Sequence, residues 1–479
     1  MSQNVILVVM DTTRAETIFD GRSIDSKIMP NLSSIANEGI VFSNAYSTAP
    51  WTLPSHASMF TGQYTHNHNT HAGSKGFSPN VEPLPQLLKE SGYQTICISN
   101  NEWISPEIGF DTGFEDFYKG WELISTNFDL VNVSKEEDNI VSQFKKVLTS
   151  SNISEIPLNL INGLFMKKIR YLYDSGAWLT NYKIKKWFNQ NQDKDKPFFM
   201  FINYIEPHLE YSPPTEFVNK NTVDWSVNQD PWAYVTGEVD MDSSDFESLM
   251  ELYEGEIRYL DYRLGKLFSF LKSIDKYEDT TIIITGDHGE NIGDHSLMDH
   301  QYSLHDSLLH VPLVIKPSSS IDRTDNVTNQ VELRDLFPTI LSLAELKKED
   351  NTISNNNLLE GTPSREFCFA EYLTPIPPID RLTDEYQVDR DIAKYNTPMR
   401  TVKTDQWRFI EKLDSNDELI LCNSNVQEDR HLEKEQIASE FSSILQEKLG
   451  EFKPHSEMEN QSDLDSSLQS QLEELGYLQ

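Results

Sequence analysis

The chain has 479 residues, which is enough for a large core and two or three packing units around one main sheet. Its formal net charge is -36 and its isoelectric point is about 4.6. A surface this acidic repels polyanions and excludes nucleic acid and anionic membranes as expected partners. It suits a salty cytoplasm, where the Debye length falls to about 3 Å at 1 M salt, so our hypothesis is a halophilic source.

The cysteines and the first residues concern the compartment. Cys97, Cys368 and Cys422 have unrelated spacings and form no C-x-x-C pair, which favours small buried thiols in a reducing compartment. The first apolar run covers only residues 5–10, too few to cross a bilayer, and no secretory leader precedes it. We therefore expect a cytoplasmic protein without a membrane span.

The first predicted strand is followed by a carboxylate. Residues 5–10 are continuously apolar and mostly β-branched, as in a buried parallel strand, and Asp11-Thr12-Thr13-Arg14 follows them. Ligands bind at the carboxyl ends of central strands in open α/β sheets, so Asp11 is a candidate site residue. The alternative is that Asp11 caps the next helix.

Residues 51–62, W-T-L-P-S-H-A-S-M-F-T-G, predict a helix that presents a threonine at its start. Pro54 fits the first turn, with Thr52 or Leu53 as the cap. The Thr52 hydroxyl would then lie beside free backbone N–H groups at the positive helix end, where sulfate or phosphate binds readily. The alternative is that Thr52 only caps the helix.

Helical and strand patterns alternate up to residue 272, which predicts an α/β protein. The helices are expected at residues 30–39, 84–90 and 245–272, and the strands at residues 41–46, 95–99 and 197–205. Polar residues again follow the strand ends: Asn100 and Asn101 after one strand, and Glu206-Pro207-His208 after the next.

A second carboxylate follows another buried strand. Residues 281–285, T-I-I-I-T, are followed by Gly286-Asp287-His288-Gly289. A carboxylate beside an imidazole, with glycines that allow close backbone approach, suits a divalent cation. One Asp-His pair is equally compatible with a structural role, but together with Asp11 it favours a metal site.

At this point the residues resemble the sulfatases of the alkaline phosphatase superfamily. The shared blocks occur in the right order: N-V-I-L-V-V-M-D, P-S-H-A-S-M-F-T-G, E-P-H, T-G-D-H-G-E-N-I-G-D-H and H-V-P-L-V-I, followed by L-R-D-L-F-P-T-I-L-S-L-A. The resemblance implies an alkaline phosphatase-like fold, with a mixed, mostly parallel central sheet flanked by helices and a smaller C-terminal antiparallel sheet with a helix.

The resemblance also implies a metal site. Asp11, Asp287 and His288 would hold one divalent cation, and Thr52 would be both a further ligand and the nucleophile. His56 replaces the arginine of the usual C-x-P-S-R signature, where it would orient the nucleophile.

Substrate contacts are implied at four further positions. His208 and His300 match positions that contact the sulfuryl or phosphoryl oxygens and protonate the leaving group, and His300 stands where many relatives carry lysine. Asn100 stands where other sulfatases carry the lysine of a G-K-W motif, and Arg14 is a second substrate-binding candidate.

Two departures from the family pattern bear on the chemistry. Thr52 has a methyl group on Cβ and cannot become the formylglycine that sulfatases make from Cys or Ser, so its hydroxyl must attack directly. Thr12 replaces a frequent second Asp and His288 a frequent Asn, which makes Mn or Zn as plausible as Ca or Mg.

These features predict a metal-dependent hydrolase that cleaves sulfate esters, acting on an anionic substrate such as a sulfated glycan or a small aryl or alkyl ester. A phosphodiesterase or phosphonate monoester hydrolase is the first alternative. A soluble phosphoethanolamine-type transferase is the second, and its known forms carry membrane helices that this sequence lacks.

The expected domains are a catalytic unit at residues 1–345, a C-terminal subdomain at 346–450, and an acidic tail with a short terminal helix at 451–479. Within the subdomain, short antiparallel strands are expected at residues 367–372, 399–404, 407–411 and 418–422, with a helix at 437–449.

Overall fold

The structure is a computed structural model. It describes residues 3–120 except Lys75, then Glu122, residues 176–422 except Asn221, Asp322, Glu349 and residues 362–364, and finally residues 435–453.

Nine strands form the main sheet. In chain order they are β1 (Asn4–Met10), β2 (Ile40–Tyr46), β3 (Gln94–Ser99), β4 (Asp116–Lys119), β5 (Phe198–Tyr204), β6 (Thr280–Gly286), β7 (His310–Lys316), β8 (Asp325–Val327) and β9 (Val331–Glu332). Their spatial order is β8-β2-β7-β6-β1-β5-β3-β4, and β9 pairs with β2.

The sheet is mixed and mostly parallel, as expected. Strands β6, β1, β5, β3 and β4 run in one direction, and β7 is antiparallel to both of its neighbours. Every residue of β5 and β6 is buried, which explains their continuous apolar and threonine-rich sequences. The central strands therefore lie between covering helices.

The longer helices of the described residues each have six or more residues. In chain order they are α1 (Pro30–Ala36), α2 (Thr52–Thr61), α3 (Leu84–Glu90), α4 (Ala177–Gln190), α5 (Pro231–Thr236), α6 (Ser243–Ser273), α7 (Leu336–Leu343), α8 (Ile379–Glu385) and α9 (Glu435–Leu449). Helix α6 contacts both α1 and α4, and α2, α3 and α7 contact one another.

Helices α2 and α6 begin at other residues than the sequence predicts, and the start of α6 is explained by capping. Helix α2 begins at Thr52, with Trp51 as the cap. Pro54 is still tolerated, because the first four N–H groups of a helix have no partner within it. Helix α6 begins at Ser243, because Asp242 and Asp245 form a capping box.

Four strands form a separate antiparallel sheet, in the order β10 (Cys368–Tyr372), β11 (Met399–Lys403), β12 (Trp407–Lys412) and β13 (Glu418–Leu421). Helix α9 packs on it through apolar residues that include Phe441 and Leu445. The predicted terminal helix and the acidic stretch before it lie outside the described residues. Where the structure describes the chain, no helix is long and apolar enough to cross a membrane.

Candidate active site

The candidate site lies at the carboxyl edge of the main sheet. Met10, the last residue of β1, pairs with Tyr204 on one side and Gly286 on the other. The residues that follow these strands therefore meet at one edge, which brings Asp11 beside Asp287 from a distant part of the chain.

Each of the two carboxylates accepts hydrogen bonds through one of its oxygens. Asp287 Oδ1 accepts hydrogen bonds from the backbone N–H groups of Thr12 (3.2 Å) and His288 (3.0 Å). Asp11 Oδ2 accepts from the side-chain amides of Asn101 (2.7 Å) and Asn203 (3.2 Å). Among the described residues, Asp11 Oδ1 and Asp287 Oδ2 have no hydrogen-bond donor although both are buried.

His288 turns one nitrogen toward these two oxygens. Its Nδ1 donates to the Gly289 carbonyl over 2.9 Å, and this bond assigns the lone pair to Nε2. Nε2 lies 3.3 Å from Asp287 Oδ2 and 3.8 Å from Asp11 Oδ1. Burial, and then the nearby His300, lower the pKa of His288 well below its usual value, so the ring is neutral and able to bind a metal.

Thr52 completes the group from the first turn of α2. Its Oγ1 lies 3.3 Å from His288 Nε2 and 3.2 Å from Asn101 Nδ2. The side chain is 1% exposed, so the hydroxyl is shielded from bulk water. The structure thus brings together all four predicted metal ligands.

The donor set fits a divalent cation. Ligand atoms of Asp11, Asp287 and His288 all lie within 4.8 Å of one another. Atoms that share an ion at about 2.0 to 2.6 Å must be this close. Two carboxylate oxygens without donors, one imidazole nitrogen and one hydroxyl form a mixed oxygen and nitrogen set, which several divalent metals accept.

The carboxylate pKa values reflect two acids buried together. Burial and then the Asp287 carboxylate raise the pKa of Asp11, and burial raises the pKa of Asp287 to about 6. Buried charges without a partner are costly, so an ion at this point would stabilise the ionised pair.

His56 lies one helical turn after Thr52. Its Nδ1 donates to the Thr52 carbonyl over 2.8 Å and lies 3.6 Å from Asp287 Oδ2, while its ring meets the edge of Phe201. Burial lowers the pKa of His56 to about 4, so the ring is neutral. It contacts Thr52, the predicted nucleophile, through the backbone and does not supply the positive charge of the arginine that it replaces.

His208 and His300 lie together beside the four ligands. Their ring centroids are 5.1 Å apart, and the His300 ring is 4.6 Å from that of His288. His300 Nδ1 forms ion pairs with Asp299 and with Glu290 (3.5 Å). Burial alone would lower the pKa of His300, but Asp299 and then Glu290 outweigh it, so the pKa is raised well above its usual value and the ring is an imidazolium.

The structure gives Asn100 partners other than the substrate contact that we expected. Its side-chain amide donates to the Thr180 hydroxyl (2.7 Å) and to the Asn203 carbonyl (3.1 Å). The next residue, Asn101, is the one that reaches Asp11 and Thr52. Consecutive residues at a strand end point in different directions, so a shift of one position exchanges the two roles.

The structure also gives Arg14 partners within the protein. Its guanidinium donates to Asp294 over 2.8 Å and to Glu16, and its side chain is 3% exposed. Among the described residues these two carboxylates serve it as counterions, which favours a structural role for Arg14 over the substrate-binding role that we expected. Sequence reasoning also missed Glu290 and Asp299, whose link to His300 depends on folded geometry.

Comparisons with known proteins identify the family. A profile of the Sulfatase family matches residues 3–346. The arylsulfatase of Clostridium perfringens (strain 13 / Type A) is 24% identical over an alignment that covers 78% of this chain and 82% of that protein. The N-acetylglucosamine-6-O-sulfatase of Bacteroides thetaiotaomicron is 22% identical, with coverage of 71% and 67%.

The fold is similarly matched among solved structures. The phosphonate monoester hydrolase of Agrobacterium radiobacter aligns over 93% of this chain and 95% of its own, with a TM-score of 0.68 and 16% sequence identity. At this identity the match concerns the fold.

Proposed function

The chain belongs to the Sulfatase family of ester hydrolases, and on that basis we propose that it cleaves sulfate esters by attack of the Thr52 hydroxyl on the tetrahedral sulfur. The observation that carries this proposal is the position of Thr52 Oγ1. It lies 3.3 Å from the same His288 nitrogen that is 3.3 Å from the unpaired Asp287 oxygen.

One divalent cation, either Ca, Mg, Mn or Zn, is part of the proposal. Asp11, Asp287, His288 and Thr52 would hold it. When bound, it favours ionisation of the hydroxyl and neutralises charge on the substrate oxygens.

The reaction proceeds in two displacements. In the first, a bond forms between Thr52 Oγ1 and sulfur while the bond from sulfur to the leaving oxygen breaks, which gives a threonyl sulfate and an alcohol. The proton that Thr52 loses balances the one that the alcohol gains. In the second, water attacks sulfur, the bond to Oγ1 breaks, and hydrogen sulfate and the free hydroxyl result.

His300 is the proposed acid toward the leaving oxygen, with His208 beside it. Asp299 and Glu290 hold the His300 imidazolium in place, so that its other nitrogen is free to donate. We expect His300→Ala to lower turnover by about ten- to a thousandfold while the fold stays intact. Unchanged kinetics would remove His300 from the mechanism.

A phosphonate monoester or phosphodiester substrate is the second candidate. A threonine cannot form formylglycine, so release depends on water attacking the tetrahedral centre, a route that phosphoryl intermediates tolerate well. The solved structure with the matching fold is named as a phosphonate monoester hydrolase. A soluble phosphoethanolamine-type transferase would use the same first displacement and pass the group to a glycan instead of water.

The substrate class is tested with nitrophenyl sulfate, nitrophenyl phosphate and a nitrophenyl phosphodiester, each with Ca, Mg, Mn and Zn in turn. Fastest turnover of the sulfate supports the first candidate, and fastest turnover of a phosphorus ester supports the second. A sulfated amino sugar should be added, because one relative is named as an N-acetylglucosamine-6-O-sulfatase.

The nucleophile is tested by Thr52→Ala. Loss of a covalent nucleophile should lower turnover by at least about 10⁴-fold. Thr61→Ala is the matched control, since this buried threonine ends the same helix, and its hydroxyl donates to the Ala57 carbonyl (2.7 Å) and accepts the Gln63 N–H (3.3 Å). Full activity of Thr52→Ala would refute the proposed function.

A further inference from the structure

Asn101 joins the candidate nucleophile to a candidate metal ligand. Its side-chain nitrogen lies 2.7 Å from Asp11 Oδ2 and 3.2 Å from Thr52 Oγ1. The residue follows β3, Asp11 follows β1 and Thr52 begins α2, so one amide connects three elements. It is 5% exposed.

The orientation of this amide is set by its other end. Asn101 Oδ1 accepts the backbone N–H of Trp103 over 2.9 Å, and the backbone N–H of Asn101 donates to Ser99 Oγ over 3.2 Å. A flipped amide would place its oxygen against the Asp11 carboxylate and its nitrogen against the Trp103 N–H. The two N–H bonds of Nδ2 are therefore the groups that face Asp11 and Thr52.

Asn101 is not needed merely to satisfy Asp11. Asp11 Oδ2 also accepts the amide of Asn203, which anchors the carboxylate from the neighbouring strand. The second N–H of Asn101 points at Thr52 Oγ1, an oxygen with no structural need of a donor. By contrast, both amide bonds of Asn100 end on groups that take no part in the reaction, the Thr180 hydroxyl and the Asn203 carbonyl.

We propose that Asn101 is a catalytic residue whose N–H stabilises negative charge on Thr52 Oγ1 when the covalent intermediate is broken. This inference rests on the proposed function. During the first displacement, the negative charge on Oγ1 decreases as the oxygen forms its bond to sulfur or phosphorus. In the second displacement, water bonds to sulfur or phosphorus, and Oγ1 leaves with the electron pair and becomes negatively charged. The hydrogen bond then gains strength, because bonds to an ionised acceptor are about twice as strong as neutral ones.

No proton moves through Asn101. The amide stays neutral in both displacements, and the departing Thr52 oxygen takes up a proton from the attacking water. The donor acts as one arm of an oxyanion hole that is aimed at the enzyme's own leaving group rather than at the substrate.

The test is Asn101→Ala, assayed with the nitrophenyl ester that the wild type hydrolyses fastest. We expect kcat to fall by about 10- to 1000-fold, the range for loss of one oxyanion donor. KM should fall with it, so that kcat/KM changes by less than about threefold, because attack precedes the impaired step. One nitrophenol per protein should appear in a burst, and intact-mass analysis should show the sulfuryl or phosphoryl adduct on Thr52.

Asn181→Ala is the matched control. Asn181 is a buried asparagine of α4 whose amide donates to the Arg263 carbonyl (2.8 Å) and accepts from Tyr204. Asn181→Ala should be less stable than the wild type, but it should show neither a burst of nitrophenol nor an adduct on Thr52. Asn101→Leu repeats the test at nearly constant volume, in case the alanine variant folds poorly.

A separate measurement distinguishes chemistry from metal binding. Calorimetric titration with Mn²⁺ should give a Kd for Asn101→Ala within about tenfold of the wild-type Kd, because Asn203 still holds Asp11. About a tenfold change is the smallest loss of metal affinity expected when a residue that supports a metal ligand is removed.

The inference is overturned if folded Asn101→Ala keeps the kcat of Asn181→Ala. It is also overturned if kcat and kcat/KM fall together without an adduct, because Asn101 would then serve only to hold Asp11. Failure of the proposed function has a different signature, since Thr52→Ala would remain active and no variant would form an adduct.

Discussion

Two groups of buried acids in this molecule have opposite electrostatic environments. At the sheet edge, Asp11 and Asp287 each keep one oxygen without a donor among the described residues. Between α2 and the C-terminal sheet, Glu332 accepts from Arg334 (2.7 Å) and from Arg365 (2.7 Å), which also bonds to Asp335. The pKa of Glu332 is lowered despite burial, because the two guanidinium groups outweigh it, whereas burial raises the pKa of Asp287 to about 6.

The difference separates structural acids from functional ones. The Glu332 group brings its own cations, and Tyr64 and the Phe369 N–H add neutral donors to it. Removing a partner from such a network leaves an uncompensated buried charge. In the described part of the chain, no lysine or arginine pairs with Asp11 or Asp287, as expected if their counterion comes from solution.

The largest expected effect is that of Asp287→Asn. Activity should fall by about 10³-fold or more, because the cation loses a charged ligand. Without added metal, the melting temperature should stay the same or rise, because one of two adjacent buried carboxylates is gone. Scanning calorimetry and an ester assay on the same sample check both. A strongly destabilised Asp287→Asn would mean that this pair is structural too.

Glu332→Gln should do the reverse. The two arginines would lose their counter-charge, and the free energy of unfolding should drop by about 3–5 kcal/mol. Activity per folded molecule should be retained. Denaturant unfolding and active-site titration measure the two quantities, and loss of activity at full stability would contradict the distinction drawn above.

Added cation should stabilise only the sheet-edge pair. At a hundredfold excess over its Kd, a bound ion stabilises the folded chain by about 2.7 kcal/mol. The melting temperature of the wild type and of Glu332→Gln should therefore rise with Mn²⁺, while that of Asp287→Asn should not. Equal responses in all three proteins would place the ion elsewhere.

Tyr253→Phe tests whether the Tyr253 hydroxyl stabilises the turn that holds Asp287. The Tyr253 hydroxyl donates to the Thr12 carbonyl (2.8 Å) and accepts the Arg14 N–H (2.9 Å), and the Thr12 N–H in turn holds Asp287 Oδ1. Thr12 has a φ of 54°, so its turn is strained and needs this support. Loss of an outer partner should weaken metal binding by about 10- to 100-fold, measured by calorimetry.

Tyr93→Phe is the control for that variant. Tyr93 is also buried, and its hydroxyl donates to the Gln3 carbonyl (3.0 Å). It should leave the metal Kd unchanged. Similar Kd values for the two variants would show that the Thr12 turn does not depend on the Tyr253 hydroxyl.

The smallest expected effect concerns acid stability at a cation-paired carboxylate. His305 and then Lys412 outweigh burial and lower the pKa of Glu418 to about 2, below the unfolded value near 4.5. Its stabilisation is therefore present above pH 4.5 and is lost as the pH falls toward 2. Glu418→Gln should flatten this part of the stability curve by about 1 kcal/mol, since the group is partly exposed. An unchanged dependence of stability on pH would contradict the pairing of Glu418 with His305 and Lys412.

The sequence predicted the main sheet and the meeting of Asp11 with Asp287 because both depend on local patterns, whereas the role of Thr52 as a ligand was implied by the resemblance to the sulfatases. Buried strands have continuous apolar runs, and Asp11 and Asp287 follow such runs directly. Parallel strands bring their carboxyl ends to one edge, so the order of the chain was enough to expect the meeting.

The rest depends on distances that no local pattern encodes. Whether Asn100 or Asn101 faces Thr52 depends on the direction of the chain after β3, and a shift of one residue reverses the answer. Arg14 resembles a substrate-binding cation until Asp294, 280 positions away, appears as its partner. Counterions supplied by distant segments are visible only in the folded chain.

The most direct measurement is anomalous diffraction from a crystal grown with Mn²⁺. We predict one peak within about 2.0 to 2.6 Å of Asp11 Oδ1, Asp287 Oδ2, His288 Nε2 and Thr52 Oγ1. A peak that contacts the carboxylates but not Thr52, or the absence of a peak at this edge, would contradict the claim that one cation joins the buried acids to the nucleophile.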